Sequence, residues 1–189
     1  MKSEALSGGF SDFPIDAARS FRRIMQVMAR PGLIEKLDGA APPAPLSVAS
    51  GTIALTLCDP ETPVYLAGEC DTASVRDWLR FHTGASFCGP DQAVFAFGDW
   101  QTLLPLKAYA VGTPEYPDRS ATLVVELPKL ENMGAELSGP GIQKTRALSL
   151  PEEAAFQRNQ LLFPLGLDFI FTSDAKVAAL PRTTKVEAT

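Results

Sequence analysis

Short apolar runs alternate along this chain of 189 residues with segments of helical spacing, and this alternation most constrains the fold. The run Ala93–Phe97 is continuous and bounded by turn-forming residues, as expected of a central strand. Other strands are predicted at Leu33–Leu37, Val64–Ala67, Ala121–Leu127, Asp168–Phe171 and Lys176–Leu180. This alternation favours an α/β fold with a mixed, largely parallel sheet flanked by helices.

Helices are predicted where a capping residue precedes apolar residues at helical spacing. In the first helix, Ser11 or Asp12 is the predicted cap, and Pro31-Gly32 ends the helix. Its apolar residues form one stripe, which consists of Phe21, Ile24, Met25 and Met28. The remaining signals are Ser47 and Thr72 as caps, Gly84 as a helix end, and a fourth helix over Pro151–Phe163.

Composition and charge exclude several classes of function. The 17 Lys and Arg residues are outnumbered by 22 Asp and Glu, and a net charge of -5 argues against general nucleic-acid binding. We predict no membrane span, because the long uncharged stretch Gly39–Cys58 is broken by prolines and polar residues. Three widely spaced cysteines predict a reduced, cytoplasmic protein, and a solitary histidine excludes the usual zinc sites. The length predicts one domain over residues 1–189, with a mobile tail at 1–9. No lysine lies in an obvious cofactor-binding context.

The solitary histidine, His82, is the first candidate for chemistry. It lies in the segment Phe81-His82-Thr83-Gly84, near the carboxyl end of the third helix. The helix dipole favours a protonated ring there, which could contact a phosphate or act as a general acid. The alternative is a histidine that closes the apolar face of the helix and bonds a carbonyl.

Two other segments are candidate anion-binding sites. Gly139-Pro140-Gly141 would let backbone N–H groups approach an anion, although it lacks the lysine of a P-loop and is favoured as a simple turn. The segment Leu180–Lys185 places Arg182 and Thr183 after a strand, where an arginine can bind phosphate or phosphonate oxygens with two hydrogen bonds. The alternative for this segment is a solvated C-terminal tail.

A loop and a helix supply two further residues of interest. Arg119 belongs to the loop Tyr116–Ser120, which precedes a strong strand and offers an acid, a base and a hydroxyl. Judged alone, that loop is favoured as structural. Asn159 falls on the apolar face of its helix, and it is predicted to pin a neighbouring loop because a buried amide needs hydrogen-bond partners.

An ordered set of motifs over nearly the whole chain resembles the PhnH family, whose members are subunits of the bacterial carbon–phosphorus lyase system. The motifs are Gly9-Phe10-Ser11-Asp12, Phe21-Arg22-Arg23-Ile24-Met25, Met28-Ala29-Arg30-Pro31-Gly32, Thr56-Leu57-Cys58-Asp59, Phe81-His82-Thr83-Gly84, Ser120-Ala121-Thr122, Ser138-Gly139-Pro140-Gly141-Ile142, Phe163-Pro164-Leu165-Gly166-Leu167-Asp168 and Leu180-Pro181-Arg182-Thr183-Thr184. No single motif decides the resemblance, but their order along the chain is specific.

The resemblance implies a fold, an assembly and a reaction. It implies a fold similar to the large domain of pyridoxal-phosphate-dependent transferases, without that cofactor. It also implies a homodimer that joins PhnG, PhnI and PhnJ in a core complex. The implied reaction forms α-D-ribose 1-methylphosphonate 5-triphosphate from ATP and methylphosphonate, with release of adenine.

The residues themselves agree with an accessory role, because the chain shows no convincing carboxylates for displacement at an anomeric carbon. We therefore expect a subunit with no independent activity. The predicted ligand-binding residues are His82, Thr83, Arg119, Gly139, Gly141, Arg182 and Thr183. The hypothesis is that they converge near one edge of the sheet and hold a phosphate-bearing ligand or a partner loop. Two alternatives stay open: a purely architectural subunit whose anion site is a protein contact, and an independent small-molecule enzyme.

Overall fold

The computed structural model describes residues 7–187, which form four helices and nine strands. The helices are α1 Phe13–Ala29, α2 Val48–Leu57, α3 Ala73–Thr83 and α4 Glu153–Gln160. The strands are β1 Glu35–Lys36, β2 Val64–Leu66, β3 Phe95–Asp99, β4 Thr122–Glu126, β5 Ala135–Ser138, β6 Arg146–Leu148, β7 Asp168–Ser173, β8 Lys176–Leu180 and β9 Lys185–Glu187. Three single-turn 3₁₀ helices lie at Gly68–Cys70, Pro90–Gln92 and Leu106–Ala108.

Six strands form one mixed sheet in the order β1-β8-β7-β4-β3-β2. The four strands β7, β4, β3 and β2 run parallel, whereas β8 and β1 add to one side in antiparallel pairing. Thr122 at the start of β4 pairs with Asp168 at the start of β7, so these strands begin at one edge, here called the amino edge. The predicted α/β class with a mixed, largely parallel sheet is confirmed.

Helix ends lie where short polar side chains and glycine can satisfy the terminal backbone groups. The Asp12 carboxylate accepts the Ile15 N–H at 3.4 Å, so Asp12 is the cap of α1. Ser47 and Thr72 cap α2 and α3 in the same manner, as predicted. Gly84 ends α3 with φ of 72°, a left-handed conformation that glycine adopts at little cost.

The large sheet separates two hydrophobic cores. Successive side chains of a strand point to opposite faces, and β7 shows this directly. Ile170 faces the core that α1, α2 and α3 cover. Phe169 and Phe171 face the second core, which also contains Phe156 of α4 and Trp100. Candidate site residues on α3 therefore belong to one layer, and those near α4 belong to the other.

A second, antiparallel sheet in the order β6-β5-β9 is absent from the sequence prediction. Strand β9 pairs with β5, with Lys185 opposite Ser138 and Val186 opposite Leu137. Val186 is buried because it contributes to the second core. The segment after Leu180 is therefore part of the fold, and its interpretation as a solvated tail is wrong.

Two other expectations need correction. The fourth helix is shorter than predicted, because the chain turns at residues 161–165 after Gln160. Residues 1–6 of the predicted mobile tail lie outside the described residues. Residues 7–9 are held in place, since the Ser7 carbonyl accepts a 2.9 Å hydrogen bond from the Trp78 indole and the Gly8 carbonyl one of 2.8 Å from the Ala41 N–H. No helix in residues 7–187 has both the length and the apolar composition that a membrane crossing needs.

Candidate functional site

His82 packs against the N-terminal segment rather than pointing into open solvent. Its Nε2 lies 3.2 Å from the Ser7 carbonyl oxygen and donates to it, which places a proton on Nε2. The ring lies 5.0 Å from Trp78 and 4.9 Å from Phe81, between centroids. These contacts match the alternative in which the histidine closes an apolar face and bonds a carbonyl.

A small cavity borders His82 at this end of α1 and α3. Its volume is about 280 Å³, and it is lined by Gly8, Gly9, Phe10, Phe13, Leu55 and His82. Its lining residues carry no charge beyond that of a protonated His82. His82 is therefore the one side chain of this lining that could supply a positive charge to an anion.

The hydroxyl of Thr83 makes hydrogen bonds at the carboxyl end of helix α3. Its Oγ1 donates to the Leu79 carbonyl at 2.7 Å and accepts from the Ala85 N–H at 3.1 Å. These two bonds stabilise the last helical turn and the chain reversal at Gly84. The geometry therefore gives Thr83 a structural role.

Arg182 is the centre of a dense polar cluster at the amino edge of the sheet. Its Nε donates to Asp168 Oδ1 at 3.2 Å, and its Nη2 makes a second, short contact with the same carboxylate. Its Nη1 donates to the Pro117 carbonyl at 2.6 Å, and Nη2 also donates to the Ser120 hydroxyl. The Arg182 and Asp168 side chains are only 12% and 17% exposed. Four of the five guanidinium N–H donors are thus committed inside the protein.

Arg182 positions the loop that carries Arg119, another predicted residue. The two bonds from Arg182 to Pro117 and Ser120 flank Arg119 in sequence. The Arg119 guanidinium lies 4.0 Å from the Tyr116 ring centroid, in a cation–π contact, and stays exposed. Within residues 7–187, no hydrogen bond or ion pair engages that guanidinium, so its donors can bind an anion.

The Gly139-Pro140-Gly141 segment is a turn, because the Ile142 N–H donates to the Gly139 carbonyl at 3.1 Å. Gly139 packs on the backbone of Thr183, where a Cβ atom would lie 3.3 Å from the carbonyl oxygen. Gly141 packs on the end of α1, where a Cβ atom would lie 2.0 Å from the Ala29 carbonyl oxygen. The turn therefore joins β5 to β9 and to helix α1.

The predicted residues thus fall into separate places. Arg182 holds the Arg119 loop, and Gly139 contacts Thr183, the residue after Arg182. In residues 7–187, no hydrogen bond, ion pair or ring contact joins His82 to Arg182. The amino-edge cluster, which we define as Arg119, Asp168, Arg182, Thr183 and Gly139, is the group that the fold brings together.

The buried amide of Asn159 has the role that the sequence predicts. Its Nδ2 donates to the Leu167 carbonyl at 2.9 Å, and its Oδ1 accepts the Leu167 N–H at 2.8 Å. Both ends of the amide are therefore satisfied by one residue of the following loop. This pair of bonds sets the path of the chain into β7, which begins at Asp168.

Sequence reasoning missed a groove between α4 and the loop around Leu106. Its volume is about 550 Å³. Its lining combines apolar side chains with Lys107, Glu152 and Arg158 at the margin. Arg158 pairs with Glu152 at 3.1 Å, which leaves Lys107 as the unpaired charge of the described lining. Leu161 beside it is 80% exposed, and the consecutive apolar residues Leu161, Leu162 and Phe163 were the sequence signal for this surface.

At the opposite edge of the sheet, Glu126 at the end of β4 links the sheet to α2. Its Oε1 accepts the Ser47 N–H at 2.8 Å and its Oε2 accepts the Thr172 hydroxyl at 2.9 Å. Burial, together with the negative charges of Glu126 and Asp99, raises the pKa of the nearby Cys70 thiol to about 12. Cys70 is therefore a neutral thiol at neutral pH and a poor nucleophile.

Comparisons with known proteins show which family this arrangement belongs to. The family model described as bacterial phosphonate metabolism protein (PhnH) matches residues 8–187. The chain belongs to the PhnH family. It is 43% identical, over 196 aligned positions covering 98% of both chains, to the "Alpha-D-ribose 1-methylphosphonate 5-triphosphate synthase subunit PhnH" of Rhizobium meliloti (strain 1021). It is 31% identical over 173 positions to the "Putative C-P lyase subunit protein HtxG" of Stutzerimonas stutzeri, covering 88% of this chain and 84% of that one.

Membership in the PhnH family confirms the resemblance that the ordered motifs indicate. The match begins at residue 8 and ends at residue 187, so it includes His82, Arg119 and Arg182. Both relatives are named as subunits, which describes parts of larger assemblies.

Proposed function

We propose that this protein is a subunit of an α-D-ribose 1-methylphosphonate 5-triphosphate synthase in the carbon–phosphorus lyase system. The observation that carries the proposal is 43% identity over 98% of both chains to a relative with that name. The reaction joins ATP and methylphosphonate and releases adenine. The chain acts as part of a transferase and has no independent turnover.

The polar groups of the structure support an accessory role. Displacement at an anomeric carbon benefits from a carboxylate or a leaving-group acid that faces the substrate. The partly buried carboxylate of Asp168 is held by Arg182, and that of Glu126 by Ser47 and Thr172. These acids are therefore committed to the fold, and the catalytic acids of the synthase are supplied by other subunits.

The amino-edge cluster is the part of the chain that contributes to ligand binding. Arg119 presents free guanidinium donors on the loop that Arg182 holds, and guanidinium groups bind phosphate or phosphonate oxygens well. Arg182 acts as a positioning residue, since its bonds to Pro117 and Ser120 hold the Arg119 loop. Arg119→Ala would then raise the KM for a phosphonate substrate without loss of assembly.

A purely architectural role is the second candidate, and a specific observation favours it. The side chains of His82, Thr83 and Arg182 all make hydrogen bonds to other parts of the same chain. Those residues would then support the surface that other subunits contact, with no ligand at the amino edge. Arg119→Ala would in that case leave the KM unchanged.

Oligomerisation and location follow from the same proposal. We infer a cytoplasmic protein that forms a homodimer and assembles with PhnG, PhnI and PhnJ. The groove beside Leu161 supports self-association, because its lining is largely apolar and Arg158 pairs with Glu152 at its margin, which leaves Lys107 as the one unpaired charge of the described lining. Leu161→Ser should convert dimers to monomers in light scattering, whereas Met133→Ser, at another exposed apolar residue, should not. We also infer that the fold is similar to the large domain of pyridoxal-phosphate-dependent transferases.

Co-expression with the partner subunits tests the proposal. The tagged chain should copurify with PhnG, PhnI and PhnJ in a complex of fixed composition, measured by mass spectrometry. Arg119→Ala should preserve that composition and change the kinetics if the amino-edge cluster binds ligand. Absence of the partner subunits from the purified material would refute the proposed function.

A further inference from the structure

Helix α1 carries apolar side chains on its outer side as well as on its buried side. Ile24 and Val27 are buried in the first core. Phe21 and Met25, which belong to the apolar stripe read from the sequence, are 48% and 50% exposed. With a helical period of about 3.6 residues, Phe21 and Met25 lie on one side of the helix with Ala18 and Ala29 beside them. The packing of α1 against the first core therefore leaves about half of the Phe21 and Met25 side chains uncovered, and with Ala18 and Ala29 they form an exposed apolar strip.

Exposed arginines lie along one side of this apolar strip. Arg19, Arg22 and Arg30 are exposed, and none of the three forms an ion pair or side-chain hydrogen bond within residues 7–187. The fourth arginine, Arg23, differs because it donates to the Lys36 carbonyl at 2.7 Å and to Asp38 at 3.1 Å. Three unpaired positive charges therefore lie together on a protein whose net charge is -5.

The acids at the start of α1 do not neutralise these arginines. The Asp12 carboxylate accepts the Ile15 N–H, and the Asp16 carboxylate accepts the Asp12 N–H at 2.9 Å. Both acids serve the N-terminal end of the helix, where the dipole favours negative charge. The outer face of α1 is thus apolar on one side and positively charged on the other. We call it the α1 face, comprising Ala18, Arg19, Phe21, Arg22, Met25, Ala29 and Arg30.

We propose that the α1 face docks an acidic, amphipathic segment of another subunit of the synthase, whose apolar residues cover Phe21 and Met25 and whose carboxylates pair with Arg19, Arg22 and Arg30. This inference rests on the proposed function and names the chemistry of one partner surface. Aromatic residues, methionine and arginine are the types enriched in protein interfaces. Complementary charge would set the orientation of the segment and speed its association.

Two other occupants fit the α1 face less well. A second copy of the chain, paired about a two-fold axis through the middle of α1, would bring Arg19 and Arg22 of both copies close together. Such like-charge contacts oppose association. An anionic membrane would need a broad apolar face to insert, but the most apolar side of α1, with Ile24 and Val27, is already buried in the core.

The test is a charge reversal on the α1 face in the complete set of co-expressed subunits. The double variant Arg19→Glu and Arg22→Glu changes exposed side chains, so the chain should keep its far-UV circular dichroism and urea midpoint. Its retention by the tagged partner subunits should fall at least about tenfold, because repulsion replaces attraction. Lys144→Glu is the matched control, since Lys144 is an exposed cation remote in sequence from α1. Phe21→Ser should also weaken retention, with Met133→Ser as its control.

Each outcome has a definite meaning. Loss of retention with the α1 variants but not with the controls supports the docking site. Retention of the α1 variants at the wild-type level overturns it, even if the complex itself forms as proposed. Loss of self-association by the α1 variants with unchanged partner binding, or binding of the chain to phosphatidylserine vesicles through the α1 face alone, also overturns it. Failure of the wild-type chain to join the partner subunits refutes the proposed function. That result differs from a loss of retention that is seen only with the charge variants.

Discussion

The strongest single test of the amino-edge cluster is Arg182→Ala. The change removes four internal hydrogen bonds to Asp168, Pro117 and Ser120. It also leaves the Asp168 carboxylate, which is only 17% exposed, without its cation. A structural role for Arg182 therefore predicts a large loss of stability.

The magnitude follows from the burial of the ion pair. Removing one partner of a buried pair costs about 3–5 kcal/mol, because the remaining charge is left uncompensated. The Asp168 side chain keeps some contact with water, so we expect about 3 kcal/mol, at the lower end of that range. For a urea dependence of about 2.5 kcal/mol per molar, the unfolding midpoint should fall by about 1.2 M. Arg119→Ala is the matched control, because the loss of an exposed cation–π contact costs about 0.5–1 kcal/mol.

Urea unfolding can be followed by the fluorescence of Trp78 and Trp100, which are both buried. Asp168→Ala and the double variant with Arg182→Ala complete a cycle, and the double variant should lose less stability than the sum of the single changes. An unchanged urea midpoint for Arg182→Ala, together with lost turnover of the assembled complex, would refute the structural role. Arg182 would then be a ligand-binding residue.

Three further predictions concern packing and thiol chemistry. Asn159→Ala should lower the free energy of unfolding by about 3 kcal/mol in urea, since two buried backbone groups lose their partner. Asn159→Asp should be no milder at neutral pH, because it keeps the acceptor for the Leu167 N–H but turns a buried charged oxygen toward the Leu167 carbonyl. Gly141→Ala should reduce the thermal midpoint, because its φ is 80° and a Cβ would lie 2.0 Å from a carbonyl oxygen; an unchanged midpoint would contradict the close packing. Iodoacetamide at pH 8 should label Cys88 first, since burial raises the pKa of the Cys58 and Cys70 thiols to about 12, and their labelling should rise as the pH approaches that value. The folded state holds these thiol protons more tightly than the unfolded chain, so the free energy of unfolding should fall above about pH 8.5. Equal labelling of all three cysteines in the native protein would contradict this burial.

Local signals in the sequence were sufficient to predict most of the helices and the strands of the large sheet. Asp12, Ser47 and Thr72 cap the helices because their side chains bond backbone N–H groups only three residues away. The strand Lys176–Leu180 has the predicted bounds, since it is an apolar run between turn residues, and the other strands of the large sheet lie where they were predicted with shifted ends. The role of Asn159 was also predictable, because a buried amide on an apolar helix face must bond nearby backbone.

Contacts between residues distant in sequence were not predictable in the same way. Arg182 lies 65 positions from Pro117, and only the completed sheet brings them together. Strand β9 is short and polar at Lys185 and Glu187, so no apolar run marks it, and its partner β5 is more than 45 residues earlier. The spacing of Phe21 and Met25 shows that they share a stripe with Ile24, but it does not show which part of a wide stripe faces the core.

The most direct test of the central claim is adenine release from ATP and methylphosphonate by purified partner subunits, measured with and without this chain. Adenine should be released only when the chain is present with its partners, and none should be released by the chain alone. Equal release in its absence, or turnover by the isolated chain, would contradict its role as a required, non-autonomous subunit.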